Sequence, residues 1–403
     1  MASEGYLTRR ITESLKARQE TEQWYRLITA LLHRLELKPS DRTEAVNQYN
    51  QLTQHLADQL EIDRHDVHIF PQGSMRTQTT ISQRYPVKFD IDIVVKMSGT
   101  RYESLGPKAF FEAFGKALEG REYITGEPDP KRRCWRLDYP GKRFYFDVTP
   151  AVPDRTGFTG SELSVHDPDT GWSPSNPDAF ADWFCERAEL RFTFAMNVMK
   201  SLDEARSQVT PVPEEPVGID DILRRALQLM KLHRDMMYWN EAPDRKAAAP
   251  ISVILVTLAT RAYENLIAKQ QNGFASPLEA VLALIDAMPD YLDHDGSGWR
   301  VENPTLVDEN FADRWNNDNG VRYREFTRWY GRLQDDLEAL FEQSHSAPDE
   351  DRIRRVFGQA GVEAWKESRP RENGYTGLLG GLAAHASGNP DQPVKTGSKS
   401  TLG

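Results

Sequence analysis

The sequence predicts an α+β fold, helical at both ends with a mixed sheet between them. Three observations carry this. Residues 8–37 hold a long helical pattern, with Ile28, Leu31, Leu32, Leu35 and Leu37 as its apolar stripe. Residues 89–97 and 143–149 alternate apolar and polar side chains with the period of a strand. After residue 175 the apolar spacing is dominated by helix again.

In chain order, 41–60 reads as a second helix and the mixed core spans about 66 to 150. Within it, Phe70 to Met97 reads FPQGSMRTQTTISQRYPVKFDIDIVVKM. Phe89, Ile91, Ile93 and Val95 are apolar, so Asp90 and Asp92 between them share the opposite face. Asp is a poor strand residue. Two carboxylates one pleat apart lie roughly 6–7 Å from each other. Such a pair is unfavourable unless a cation sits between them. Mg²⁺ takes one or two carboxylates with substrate phosphates and water. The Gly73-Ser74 turn upstream offers backbone N–H groups to a phosphate. Alone, an Asp-x-Asp is equally the polar face of a half-buried strand, and the Gly-Ser turn favours the metal reading.

A third carboxylate follows. Phe144, Phe146 and Val148 alternate with Tyr145, Asp147 and Thr149, and the run Cys134 to Tyr139 ends at Pro140-Gly141. A hairpin from about 133 to 149 is expected. If it lies beside the 89–97 strand, Asp147 reaches the same ions. Residues 172–184, WSPSNPDAFADWF, read as a helix start capped by Ser175 or Asn176 with Pro177 in the first turn, which needs no site role. TPVPEEPVG at 210–218 reads as a loop or hinge. In the helix 219–239, Ile222, Leu223, Ala226, Leu229 and Met230 are apolar, and Arg224, Gln228, Lys231 and Asp235 form a polar stripe. Spacing alone makes that stripe a solvated face. The Gly- and Ser-rich end of the chain, closing on Gly403, is expected to be flexible.

The 403 residues suit two or three domains. A net charge of −11 argues against non-specific nucleic-acid binding. One basic cluster exists: Lys131, Arg132 and Arg133 with Arg136, Lys142 and Arg143. A solvated hairpin is its simpler reading; a lip that draws in anionic nucleotides is the other. Two cysteines, Cys134 and Cys185, build neither a disulfide framework nor a zinc ribbon. No signal peptide or membrane-length apolar run is visible, so a cytoplasmic protein that binds no membrane is expected.

The segments QGSMRTQTTI, FDIDIVV and FYFDVTPAVP resemble the nucleotidyltransferase core of the DNA-polymerase-β-like superfamily. More narrowly, they resemble the bacterial CD-NTases, relatives of cyclic GMP-AMP synthase that make cyclic nucleotide signals in CBASS anti-phage defence. The resemblance implies a two-lobed nucleotidyltransferase fold. Residues 1–65 would brace both lobes and 66–205 would form the nucleotidyltransferase core. A hinge would follow at 206–218, then a C-terminal helical domain at 219–368 and a flexible tail at 369–403. It implies that Asp90, Asp92 and Asp147 are catalytic and hold two Mg²⁺ ions, or Mn²⁺, and that Gly73 and Ser74 contact the donor triphosphate. The family often has Gly-Thr after this turn, where this chain has Gln78-Thr79. A family Lys and a Ser on the next helix bind the triphosphate; by match these are Lys231 and Ser252. Some relatives follow that Ser with a base-stacking Tyr, here Val253, so stacking must come from elsewhere. VENPTLVDENFADRW, 301–315, resembles a late family segment.

The implied activity joins and cyclises ribonucleoside triphosphates, ATP among them, with release of pyrophosphate. The implied partners are CBASS proteins, including an E1/E2-like enzyme that would conjugate the cyclase through Gly403. Linear oligonucleotide synthesis, protein or tRNA modification, and a non-catalytic nucleotide-binding scaffold are the alternatives. The acidic balance, the chain length and the complete Asp triad speak against them in turn.

Overall fold

The computed structural model describes residues 5–368, apart from 19–20, 37, 61–65, 82–87, 121–126, 155–159, 195–220, 270–272, 297 and 342–349. The expected hinge at 206–218 and the tail with Gly403 lie outside the described residues.

The N-terminal helical pattern is realised as two helices, α1 (Tyr6–Arg18) and α2 (Thr21–Leu35), followed by α3 (Pro39–Leu60). The α2 stripe of Leu27, Leu31, Leu32 and Leu35 is buried. Trp24 of α2 packs edge-on to Phe341, 4.8 Å between centroids, and stacks on Trp365 at 6.1 Å. The N-terminal helices thus join the core of the C-terminal helices.

The mixed sheet comprises β1 (Val67–Pro71), β2 (Phe89–Met97), β3 (Asp129–Pro130), β4 (Trp135–Asp138), β5 (Phe144–Pro153), β6 (Leu163–Asp167) and β7 (Gly171–Ser175). Its order is β1-β2-β5-β4-β3, with β6 pairing β5 and β7 pairing β6. Only β2 and β5 run parallel within it, and their register sets Asp92 opposite Asp147. Among the described residues, α4 (Gly73–Thr77), α5 (Thr100–Glu103) and α6 (Pro107–Ala117) lie along this part of the chain. Strand alternation divides the sheet. Ile91, Ile93, Phe144, Phe146 and Val148 pack with Leu52 and Leu56 of α3 and Phe110 and Phe114 of α6. Asp90, Asp92, Tyr145 and Asp147 are left on the other face. The expected hairpin is β4–β5, with Arg136 opposite Asp147.

The remainder is mainly helical: α7 (Pro177–Ala188), α8 (Ile222–Tyr238), α9 (Pro243–Ala248), α10 (Ser252–Lys269), α11 (Pro277–Ala287), α12 (Asp313–Asn317), α13 (Val321–Phe341) and α14 (Glu350–Ser368). Asn176 caps α7, accepting from the Ala179 N–H at 3.3 Å. Gly358 breaks α14 at φ 65°, and a Cβ there would lie 2.7 Å from Met236 Sδ. Glycine is what lets α14 lie so close to α8.

α8 corrects the expectation of a solvated stripe. It is buried all round from Ile222 to His233, and Arg224, Gln228 and Lys231 are 5%, 2% and 5% exposed. The polar stripe is tolerated inside because each member has a partner. Arg225 on the same helix donates to Glu36, 2.6 Å.

Candidate active site

Gly73 has φ 59°, and a Cβ on it would clash with Asp92 Oδ2. The glycine therefore permits both a left-handed backbone and close approach to the carboxylate. Gly73 and Ser74 open the short helix α4, whose first N–H groups have no acceptor within the helix. Gln78 closes it in the left-handed conformation, φ 56°, which a glycine would adopt without strain. This is the structural content of the Gln-Thr in place of Gly-Thr. The chain then turns back, with the Thr79 N–H donating to the Ser74 carbonyl at 2.9 Å.

The α8 stripe holds this turn. Arg224 Nε donates to the Thr77 carbonyl at 2.9 Å and Gln228 Nε2 to the Thr80 carbonyl at 3.2 Å. Lys231 Nζ donates to Thr79 Oγ1 at 2.7 Å and to its carbonyl at 3.3 Å. Thr80 Oγ1 donates to Ser74 Oγ, 3.0 Å. Burial first, and Arg234 second, pull the Lys231 ammonium down to about 8, against Asp90, Asp235 and Asp92. Ser252 opens α10, and its Oγ accepts from Arg234 Nη1 at 2.9 Å. Arg234 also pairs with Asp235, 2.7 Å. The sequence reading missed Arg234, although it stands one helical turn beyond Lys231.

On the sheet, burial pushes the Asp92 carboxyl up to about 8, and the neighbouring Asp90 and Asp147 charges add to this. Asp147 is held in a two-pronged ion pair: Arg136 Nε to Oδ1 at 2.8 Å and Nη2 to Oδ2 at 2.7 Å. The Arg136 guanidinium lies 3.9 Å over the Tyr145 ring. Among the described residues, no three His, Cys, Asp or Glu side chains are gathered for one ion. Asp147 is turned to Arg136 while Asp90 and Asp92 face the cleft. Like charges this close, on oxygen ligands alone, suit a hard divalent cation.

Gly73, Ser74, Asp90, Asp92, Lys231 and Ser252 all line one cavity of about 390 Å³, and Asp147 stands beside Asp92 without lining it. Part of the cavity lining went unread in the sequence. Phe180 and Phe311, which also line it, meet edge to face at 5.7 Å, and Ile81, Val253, Val256, Asn303 and Glu309 share the same lining. The aromatic surface absent at Val253 is supplied from α7 and the 301–315 segment. Only the family likeness of that segment pointed there.

The basic cluster is not a simply solvated hairpin. Arg132 and Arg133 both pair with the buried Asp167 at 2.8 Å. Lys131 pairs with Asp129, Lys142 with Glu44 and Arg143 with Asp41. Apart from Asp129, these carboxylates come from other segments.

The sequence profile of the SMODS family, the Second Messenger Oligonucleotide or Dinucleotide Synthetase domain, matches residues 23–187. A c-di-GMP synthase of Roseivirga ehrenbergii is 27% identical over 71% of this chain and 70% of its own length. Cyclic dinucleotide synthase CdnG of Bradyrhizobium diazoefficiens is 26% identical over 93% and 91%. The structure of that CD-NTase CdnG in complex with GTP superposes with a TM-score of 0.64 at 24% identity, covering 85% of this chain and 97% of the other. The chain is similar to these cyclic dinucleotide synthases over most of its length and carries the SMODS match over residues 23–187. The match covers the sheet and the cavity-lining residues 73–92, while Lys231, Ser252 and Glu309 lie beyond the matched span. No helix of the described residues is long and apolar enough to cross a membrane.

Proposed function

We propose that the chain binds ribonucleoside triphosphates in this cavity, joins them with release of pyrophosphate and cyclises the product. The observation that carries this is the convergence of Gly73-Ser74, Asp90-Asp92, Lys231 and Ser252 on one cavity from four separated segments. The relatives named as cyclic dinucleotide synthases support cyclisation over a linear product.

Asp90, Asp92 and Asp147 would hold two divalent cations, Mg²⁺ by the donor set, which would supply charge neutralisation and activation of the acceptor hydroxyl. Lys231 and the N–H groups of Gly73 and Ser74 would bind the donor triphosphate, and Ser252 with Arg234 would close its far side. Asp147, freed from Arg136, would orient the attacking hydroxyl. The walls of Phe180, Phe311, Val253 and Val256 would exclude water and receive the base. Purine triphosphates, ATP and GTP, are the substrates proposed, and a signal in anti-phage defence the role.

Incubation with labelled triphosphates and Mg²⁺, followed by phosphatase, tests this. A phosphatase-resistant product from the wild type, and none from Asp90→Ala or Asp92→Ala, is expected. Activity retained in those variants would remove the metal-site assignment. A phosphatase-sensitive product would favour a linear synthase.

A further inference from the structure

The base end of the cavity carries a polar pair built for a particular hydrogen-bond pattern. The segment around it is tied together by backbone hydrogen bonds. Glu302 and Asn310 form a bridge, the Asn303 N–H donates to the Glu309 carbonyl at 2.9 Å, and the Phe311 N–H donates to the Val301 carbonyl at 2.9 Å. Asn303 is 8% exposed. Its Oδ1 accepts from the Thr305 N–H and Oγ1, both at 2.9 Å. That fixes the amide with its NH₂ towards Glu309, where Nδ2 donates to Oε2 at 2.6 Å. Glu309 lines the cavity, and its other carboxylate oxygen has no partner among the described residues. Burial raises the Glu309 carboxyl, and the Asn303 hydrogen bond and the Arg133 charge oppose this and favour the carboxylate.

A carboxylate offers only acceptors, on two oxygens side by side. Guanine presents two adjacent donors, N1–H and the N2 amino group, and matches it with two parallel hydrogen bonds. Adenine presents one donor beside the N1 lone pair, which a carboxylate would repel. Val253, next to Ser252, and Phe311, two residues past Glu309, are walls of the same cavity. A base stacked between those walls could turn its hydrogen-bonding edge to Glu309, with its triphosphate at Ser252 and Lys231.

We propose that Glu309, oriented by Asn303, is the residue that selects guanine as the base of the donor nucleotide. This rests on the nucleotide-site reading above. Glu309→Gln replaces one acceptor with a donor, the pattern adenine needs, and keeps an oxygen for Asn303.

The test is equilibrium binding of non-hydrolysable GTP, ATP and ITP analogues with Ca²⁺. Wild type should bind the GTP analogue roughly tenfold to a hundredfold more tightly than the ATP analogue. The ITP analogue, which lacks the N2 amino group, should fall between. Glu309→Gln should lose most of the GTP affinity and bind the ATP analogue at least as tightly as wild type does. Equal binding of the three analogues by wild type, or a parallel loss of all three in Glu309→Gln, overturns the inference while leaving the nucleotide site intact. Binding of none of the analogues by wild type overturns the nucleotide site and the inference with it.

Discussion

At Gly73 a missing side chain brings a turn against a carboxylate. Gly73→Ala would set a Cβ against Asp92 Oδ2 at a positive φ, a strain of about 1–3 kcal/mol. Calorimetry should show that loss, with activity at background. Asp92 itself gives a pH dependence. Its folded value, about 8, lies above the ordinary 3.8. A carboxyl raised in this way stabilises the metal-free fold below pH 4 and loses that contribution as pH rises towards 8. Divalent-ion binding must expel the proton, so affinity should rise roughly tenfold per pH unit up to about 8. Thermal shift with and without Mg²⁺ at pH 6 and pH 8 measures both. A larger Mg²⁺ shift at pH 6 would reverse the assignment. Arg136 competes for Asp147, so Arg136→Gln should bind Mn²⁺ about tenfold more tightly by electron paramagnetic resonance. Unchanged Mn²⁺ affinity would show that the ion pair does not restrain Asp147.

At the scale of elements, α8 joins the two halves of the site. Arg224 pairs with Asp221, both 5% exposed or less, and reaches the Thr77 carbonyl. Arg224→Met would leave Asp221 buried and uncompensated, a loss of about 3–5 kcal/mol. Urea unfolding should report it. The same variant should raise KM for triphosphate, because the turn that carries Ser74 loses its anchor. A KM unchanged beside lost stability would make Arg224 a purely structural residue. The period of α8 was legible in the sequence, but its environment was not. A stripe at helical spacing looks alike whether it faces water or a turn some 150 residues upstream. The strands were more legible, because an Asp between β-branched residues has few structural uses.

In the whole molecule, the cavity lies between the sheet and the helices, so a bound triphosphate should tie both together. A non-hydrolysable triphosphate with Ca²⁺ at a hundred times its Kd should add about 2.7 kcal/mol of stability. Asp92→Asn should abolish most of that gain, and an undiminished gain in the variant would place the nucleotide elsewhere. The net charge of −11 makes the approach of anionic substrates unfavourable at long range. Lys131, Arg132, Arg133, Lys142 and Arg143 pair with carboxylates, and Lys88, Lys231 and Arg234 are the cations among the cavity-lining residues.

The sequence by itself determined the α+β class, the two strands that carry the carboxylates and the face those carboxylates share. These follow from local alternation, which needs no knowledge of the partner strand. Tertiary structure decided the rest. It set Asp92 beside Asp147, gave Asp147 to Arg136, and buried the α8 stripe against residues 77–80. It also brought Phe180, Phe311 and Glu309 to the same cavity. These contacts join residues far apart in the chain, and nothing in a local pattern encodes which distant segment will meet it.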